Sequence, residues 1–189
     1  MLVVVTGPPA SGKTSLARDL ARELGLPWIS KDAVKETLYD ALGSGEELEP
    51  SLEEAARRLL LTVAEQQLAS GLSAIVESNF DGDADLAPLK RLWQERDTRV
   101  VQIHCGGEQE ALLERFAERA ESGQRHPGHG DTAEDVDEVR ADLERGRWDP
   151  LDLPGELIEV DLGEEPDVGA LAARIEEGPD GPAPPSARR

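Results

Sequence analysis

Apolar residues fall into two spacings along this chain. Unbroken runs such as Leu2-Val3-Val4-Val5 and Ala74-Ile75-Val76 read as strands covered on both faces, which need no polar alternation. Between such runs, apolar residues recur every three or four positions, as a helix with one buried face requires. The first run predicts a strand over Leu2–Thr6. A helix from Lys13 to Leu24 follows, with Leu16, Ala17, Leu20, Ala21 and Leu24 on one face and Gly25 as its cap. Trp28–Ser30 is a short strand, and a second helix carries Val34, Leu38, Tyr39 and Leu42 and stops at Gly43. Gly43 to Pro50 reads as an acidic loop. Ser51 and Glu54 form a capping-box pattern for a long helix ending near Ser70.

The second half continues the alternation. Leu72–Glu77 reads as a buried strand, Asp83 as the cap of a helix through Trp93, and Arg99–Cys105 as a strand. Glu108–Glu121 is a helix turning Leu112, Leu113, Phe116 and Ala120 inward, and Thr132 and Asp135 are placed to cap a helix bearing Val136, Val139 and Leu143. Leu157–Asp161 is a last strand and Asp167–Glu176 a last helix. From Gly178 onward proline, glycine and charge dominate, so residues 178–189 are expected to be a disordered tail after one domain over 1–177. Strands alternating with helices give an α/β fold, a five-stranded parallel sheet sandwiched by helices, with ligands at the carboxyl ends of the strands.

At the end of the first strand stands Gly7-Pro8-Pro9-Ala10-Ser11-Gly12-Lys13-Thr14, which fits G-x-x-x-x-G-K-[ST]. A strand that enters a helix through a glycine-rich turn aims several backbone N–H groups at one point, and the helix N-terminus adds partial positive charge there. The expectation is a phosphate cradle made by Gly7 to Ser15, with Lys13 on the β- and γ-phosphates and the Thr14 hydroxyl on Mg²⁺. ATP and Mg²⁺ are the cofactors this implies.

Charge narrows the partners. The net charge is −20, with 40 acidic against 20 basic residues, which repels long nucleic acids and anionic lipid. One cysteine, Cys105, excludes an intramolecular disulfide and fits a reducing compartment. With neither a signal-peptide pattern nor an apolar run of membrane-spanning length, a cytoplasmic protein without membrane contact is expected, as a monomer or homodimer.

Residues just after each strand are the next to inspect. Asp32, in Ser30-Lys31-Asp32-Ala33-Val34-Lys35, would place a carboxylate beside the cradle, at the end of an adjacent strand. There it can orient a hydroxyl and accept its proton, or simply cap a helix. Lys35, one turn on, can bind substrate or lie on a wet face. Glu77 can hold Mg²⁺ through water or a substrate hydroxyl, and Asn79 can orient substrate or form a turn. Arg115, Arg119 and Arg125 precede or enter the glycine- and proline-rich segment Gln124–Gly130, a candidate lid over about 115–132 whose arginines would neutralise charge on a moving phosphoryl. Salt bridging to Glu114, Glu118 and Glu121 is the alternative. His126, His129 and Asp131 form at most a weak metal pattern. Cys105 and Trp148 read as core, and Glu46, Glu47 and Glu49 as a solvated face.

With these residues in hand, the chain resembles the small P-loop kinases, a group that includes gluconate kinase, chloramphenicol phosphotransferase, zeta toxin and the kinase domain of polynucleotide kinase. It is most similar to bacterial proteins labelled AAA-family ATPases, which show segments like Ile29-Ser30-Lys31-Asp32-Ala33-Val34-Lys35-Glu36 and Arg125-His126-Pro127-Gly128-His129. The resemblance covers about Met1 to Asp161. It implies a P-loop NTPase fold with a helical lid, and an ATP-dependent kinase that phosphorylates a hydroxyl on a small molecule. Asp32 then matches the catalytic aspartate, Lys13 and Thr14 bind ATP and Mg²⁺, Arg119 and Arg125 match lid arginines, and Arg115 joins the nucleotide site. Asp32, Lys35, Glu77 and Asn79 would face the acceptor. A polynucleotide 5′-hydroxyl or nucleotide-sugar kinase, and a non-kinase ATP-binding regulator, are the competing implications. Glu77 stands where several relatives carry aspartate, and the acidity departs from what a polynucleotide would favour.

Overall fold

The run Leu2–Thr6 forms β1, the central strand of the sheet, in a computed structural model that describes residues 1–43, 48–94, 98–123, 125–130, 132–161, 163 and 165–178. All five residues of β1 are buried, because helices cover both faces of the sheet. The other strands are β2 (Trp28–Ser30), β3 (Ala74–Glu77), β4 (Val100–Gly106) and β5 (Glu156–Asp161). They lie in the order β2-β3-β1-β4-β5, and every pairing is parallel. The helices are α1 (Lys13–Leu24), α2 (Lys31–Leu42), α3 (Glu49–Ala69), α4 (Gly82–Gln94), α5 (Gln109–Glu121), α6 (Val136–Glu144) and α7 (Val168–Glu177).

The pleat of β1 divides the core. Val3 and Val5 face Leu16, Ala17 and Leu20 of α1 and Leu171 and Ile175 of α7. Leu2 and Val4 face Leu60, Ala64 and Leu68 of α3 and Leu89, Leu92 and Trp93 of α4. A smaller cluster of Leu113, Phe116, Val139 and Trp148 joins α5 to α6 and packs against Ala10. Trp148 is thus core, as expected, with the Arg147 guanidinium 5.7 Å above its ring.

Several boundaries differ from the sequence reading, each for a local reason. The α3 helix starts at Glu49 rather than at Ser51, with Pro50 in its first turn, where a missing N–H costs nothing. Leu72 is not part of β3: it is 54% exposed, and its N–H closes the end of α3 on the Gln67 carbonyl. Asp81 rather than Asp83 starts α4, its Oδ1 accepting from the Ala84 N–H while its own N–H donates to Asp85 Oδ2. Thr132 and Asp135 do pair, through the Thr132 N–H and hydroxyl on Asp135 Oδ2, in a short 3-10 turn leading into α6. The expected tail beyond Gly178, together with Glu46, Glu47, Gln124 and Asp131, lies outside the described residues.

The strand order corrects one positional expectation. Asp32 does not sit at the end of a strand adjacent to β1. The neighbour on that side is β3, which brings Glu77 level with Val5 and with Ser30. Asp32 reaches the cradle from the first turn of α2, one strand further out.

Candidate active site

Between β1 and α1 the chain turns through left-handed backbone. Gly7 has φ +142°, Ala10 φ +61° and Gly12 φ +83°. Glycine is obligatory at position 7, because a Cβ there would overlap the Cys105 carbonyl oxygen of β4. Gly12 is the N-cap of α1 and offers no side chain, so the first helical N–H groups stay open to an anion. Lys13 is 7% exposed, and its Nζ donates to the Pro8 carbonyl at 3.2 Å. Burial lowers its pKa, while Glu77 and Asp32 pull it back up. The Ser11 hydroxyl is fully buried at the same turn and has no hydrogen-bond partner among the described residues.

Glu77 is 1% exposed and accepts a 3.1 Å hydrogen bond from the Thr14 hydroxyl. Burial pushes its carboxyl upward against the opposing charge of Lys13. Its second oxygen, Oε2, is buried and has no hydrogen-bond partner among the described residues. A buried orphan carboxylate oxygen beside a P-loop threonine fits a hydrated Mg²⁺. Among the described residues no group of three or more acidic, His or Cys side chains can hold an ion alone, so the remaining ligands would be phosphate oxygens and water.

Asp32 occupies the second position of α2, whose N-cap is Ser30: the Ser30 hydroxyl accepts from the Ala33 N–H at 3.5 Å. Capping therefore does not account for Asp32. Its carboxylate accepts from Arg125 Nη2 at 3.2 Å. Burial opposes its ionisation, but His129, Lys31, Lys13 and Arg125 outweigh burial and hold the pKa at about 2. His129 is itself kept low by burial, so it contributes charge only in acid; at neutral pH the two lysines and Arg125 do the holding.

These groups meet in one polar cleft of about 190 Å³, lined by Lys13, Thr14, Asp32, Arg119 and Arg125 together with Lys31, Lys35, Glu53 and Asn79. Arg119 lies near enough to Lys13 to press its pKa down. Arg115 does not line the cleft. Its Nε donates to the Ala111 carbonyl at 3.2 Å, and its guanidinium lies beside Gly107, in the loop after β4. Arg125 opens a segment that lies along α2. Gly128 sits on the Tyr39 ring, His126 Nε2 meets Asp40 at 3.1 Å, and His129 Nε2 meets Glu36 at 2.8 Å. The two histidines thus bind carboxylates of α2. Cys105, wholly buried beside Gly7, is an inert core thiol with its pKa pushed up to about 12 by burial.

Sequence reasoning missed Lys31 and Glu53 and misread Glu49. Lys31 Nζ lies 2.5 Å from Glu53 Oε1 and 3.3 Å from Asn79 Oδ1. Lys35 Nζ lies 2.7 Å from Glu49 and 3.3 Å from Glu53. Glu49 is therefore a counterion of Lys35 rather than part of a solvated face. The signal was present as matched four-residue spacings, Lys31 with Lys35 and Glu49 with Glu53, on consecutive helices.

A family profile described as an AAA domain matches residues 2–149. The chain belongs to this AAA-domain family. Within it the protein is a kinase-like P-loop NTPase, as the resemblance to small P-loop kinases implied. A cytidylate kinase from Methanothrix thermoacetophila is 30% identical over 156 residues, which span 79% of this chain and 91% of that protein. The crystal structure of a candidate kinase from Chloroflexus aurantiacus has a TM-score of 0.84 at 38% identity, over 94% of this chain and 97% of the other. Kti12 from Chaetomium thermophilum, solved with ADP-AlF3, shares the fold with a TM-score of 0.66 at 22% identity, over 96% and 100% of the two chains. No helix among the described residues is long and apolar enough to cross a membrane.

Proposed function

We propose that this protein is an ATP- and Mg²⁺-dependent kinase that moves the γ-phosphoryl group to a hydroxyl of a small molecule. The observation that carries this reading is Asp32, an ionised carboxylate in the same cleft as Lys13 whose position helix capping does not explain. Lys13 would leave the Pro8 carbonyl for phosphate oxygens, as the P-loop N–H groups take up the rest of the anion. Thr14 and, through water, Glu77 would hold Mg²⁺, which when bound neutralises charge on the β- and γ-phosphates. Asp32 orients the acceptor hydroxyl and receives its proton as the new P–O bond forms and the β–γ bridge bond breaks, leaving ADP. Arg119 and Arg125 offset charge on the transferring group.

A nucleoside monophosphate acceptor, suggested by the cytidylate kinase relative, is the second reading. The cleft lining disfavours it. His129 is the one ring-bearing side chain besides Pro9 along the cleft, and a base needs an apolar or aromatic platform. Among the described residues Phe80, Trp93, Phe116 and Trp148 are buried in the core, Trp28 is half-buried against it, and Tyr39 packs against Gly128. The test is acceptor-stimulated ADP release in the wild type, Lys13→Ala and Asp32→Asn proteins. Transfer should vanish in Lys13→Ala. In Asp32→Asn it should fall at least about 100-fold while ATP still binds. Full turnover in Asp32→Asn overturns the assigned role, and ATP hydrolysis indifferent to every acceptor favours a nucleotide-dependent regulator.

A further inference from the structure

The cleft lining as a whole is positive, with Lys13, Lys31, Lys35, Arg119 and Arg125 against Asp32 and Glu53, but the groups beyond those assigned to ATP answer one another. Lys35 is buried and Lys31 half-buried, with side chains 8% and 13% exposed, and each ammonium is met by carboxylates of α3. Glu53 bridges both lysines and Glu49 adds a second contact to Lys35. Two cations thus face two anions, and Arg125 answers Asp32 in the same way. An acceptor that brought its own carboxylate or phosphate would set its charge against Glu53, whose two oxygens already pair with both lysines. An apolar acceptor would leave ammonium, carboxylate and amide groups without water or partners.

The same groups leave hydrogen-bonding capacity unused. An ammonium has three donors, and among the described residues Lys31 and Lys35 each engage two acceptors. Asn79 takes Lys31 on its oxygen, which keeps its amide N–H groups for a ligand. Glu53 and Asp32 supply carboxylate oxygens along the same wall. Hydroxyl groups match this mixture, since each can donate to a carboxylate and accept from an ammonium or amide at once. At about 190 Å³ the cleft is also smaller than the roughly 300–1,000 Å³ of pockets that enclose drug-sized ligands.

We propose that the acceptor is an uncharged, polyhydroxylated small molecule, a sugar or polyol, held by Lys31, Lys35, Glu53 and Asn79 with one hydroxyl on Asp32. The identification of the class rests on the kinase reading above. In it Lys31, Lys35 and Glu53 are specificity residues: their balance of charge rejects sugar acids and sugar phosphates.

The experiment uses the full chain with ATP and Mg²⁺ against three matched sets: neutral sugars and polyols, the corresponding acids and phosphates, and nucleosides with their monophosphates. Transfer is read as acceptor-dependent ADP release with product detection, and binding as a shift in melting temperature beside a non-hydrolysable ATP analogue. A neutral polyol should be phosphorylated. Glu53→Gln, which leaves the two lysines short of one counterion, should raise KM for it about tenfold with a smaller change in kcat. The same variant should raise the acid-to-neutral ratio of kcat/KM about tenfold, and Lys35→Met should lower that ratio. Phosphorylation confined to acids, phosphates or nucleotides overturns the inference and leaves the kinase reading standing. A neutral polyol that binds without being phosphorylated supports the site and overturns the kinase reading. If no compound of any set binds or is phosphorylated, both fall.

Discussion

Replacing Asp32 with asparagine removes one charge from a site that was assembled around it, and the cost can be worked out. The carboxyl sits at a pKa of about 2 in the folded protein against an ordinary 3.8. At roughly 1.4 kcal/mol per pH unit, that difference corresponds to about 2 kcal/mol of folding stability carried by the ionised form. The side chain is 23% exposed, so little of this is lost to solvent screening. His129 supplies part of the effect only when protonated, which places the loss at pH 7 nearer 1–2 kcal/mol, on the order expected for one charge-assisted contact set. The sign follows from the lowered pKa. Asp32 stabilises the fold above about pH 4, and this contribution is lost as pH falls from there toward 2. Urea unfolding of wild type and Asp32→Asn at several pH values should therefore show a gap at pH 7 that narrows steadily below pH 4. A gap under about 0.5 kcal/mol at pH 7, or one that does not shrink in acid, would refute the claim that surrounding cations hold Asp32 ionised.

Other consequences are open to direct measurement. Gly7→Ala should cost about 3 kcal/mol or more, because it combines a backbone overlap at Cys105 with φ +142°, and thermal melting would show it before nucleotide is added. Glu77→Gln should raise the Mg²⁺ needed for half-maximal activity about tenfold or more, with the fold intact by circular dichroism; an unchanged requirement would remove Glu77 from the metal site. His129 is buried with its pKa lowered, so the unfolded chain binds its proton first and stability declines as pH falls below about 6.5. His129→Gln should flatten that decline in urea midpoints, although His104, lowered by burial in the same way, will keep part of it.

How much of this was legible in the sequence depends on the range of the interaction that fixes it. The P-loop, the buried runs of β1 and β3 and the inward face of α5 were readable because each is decided within a few residues, by apolar continuity or by glycine. The ends of α3 and β3 were misplaced because two local signals competed there. Ser51 and Glu54 look like a cap, but Pro50 already suits the first helical turn; Leu72 looks like strand, but its N–H is claimed by the helix before it. The order of strands was less accessible still. Parallel alternation allows β2 on either side of β3, and nothing local records that β3 lies between β1 and β2.

That order decides how the site works. With β3 next to β1, the residue directly beside the cradle is Glu77, which accepts a hydrogen bond from the Thr14 hydroxyl. Asp32, displaced by one strand, lines the same cleft from α2, and α3 packs against α2 to bring Glu53 to Lys31 and Lys35. A low pKa at Asp32 also limits its chemistry. A carboxylate with a pKa of about 2 is a poor base for a free alcohol, so it gains little from pulling the proton early. In the proposed kinase it would remain charged at every physiological pH and fix the direction of the hydroxyl, taking the proton only once the bond to phosphorus is largely made. On that proposal positioning would carry more of the rate than basicity. A pH–rate profile without an acid limb from Asp32 between about pH 5 and 8 is the kinetic mark of that division; a limb that disappears in Asp32→Asn would instead assign the residue a raised pKa in the working complex.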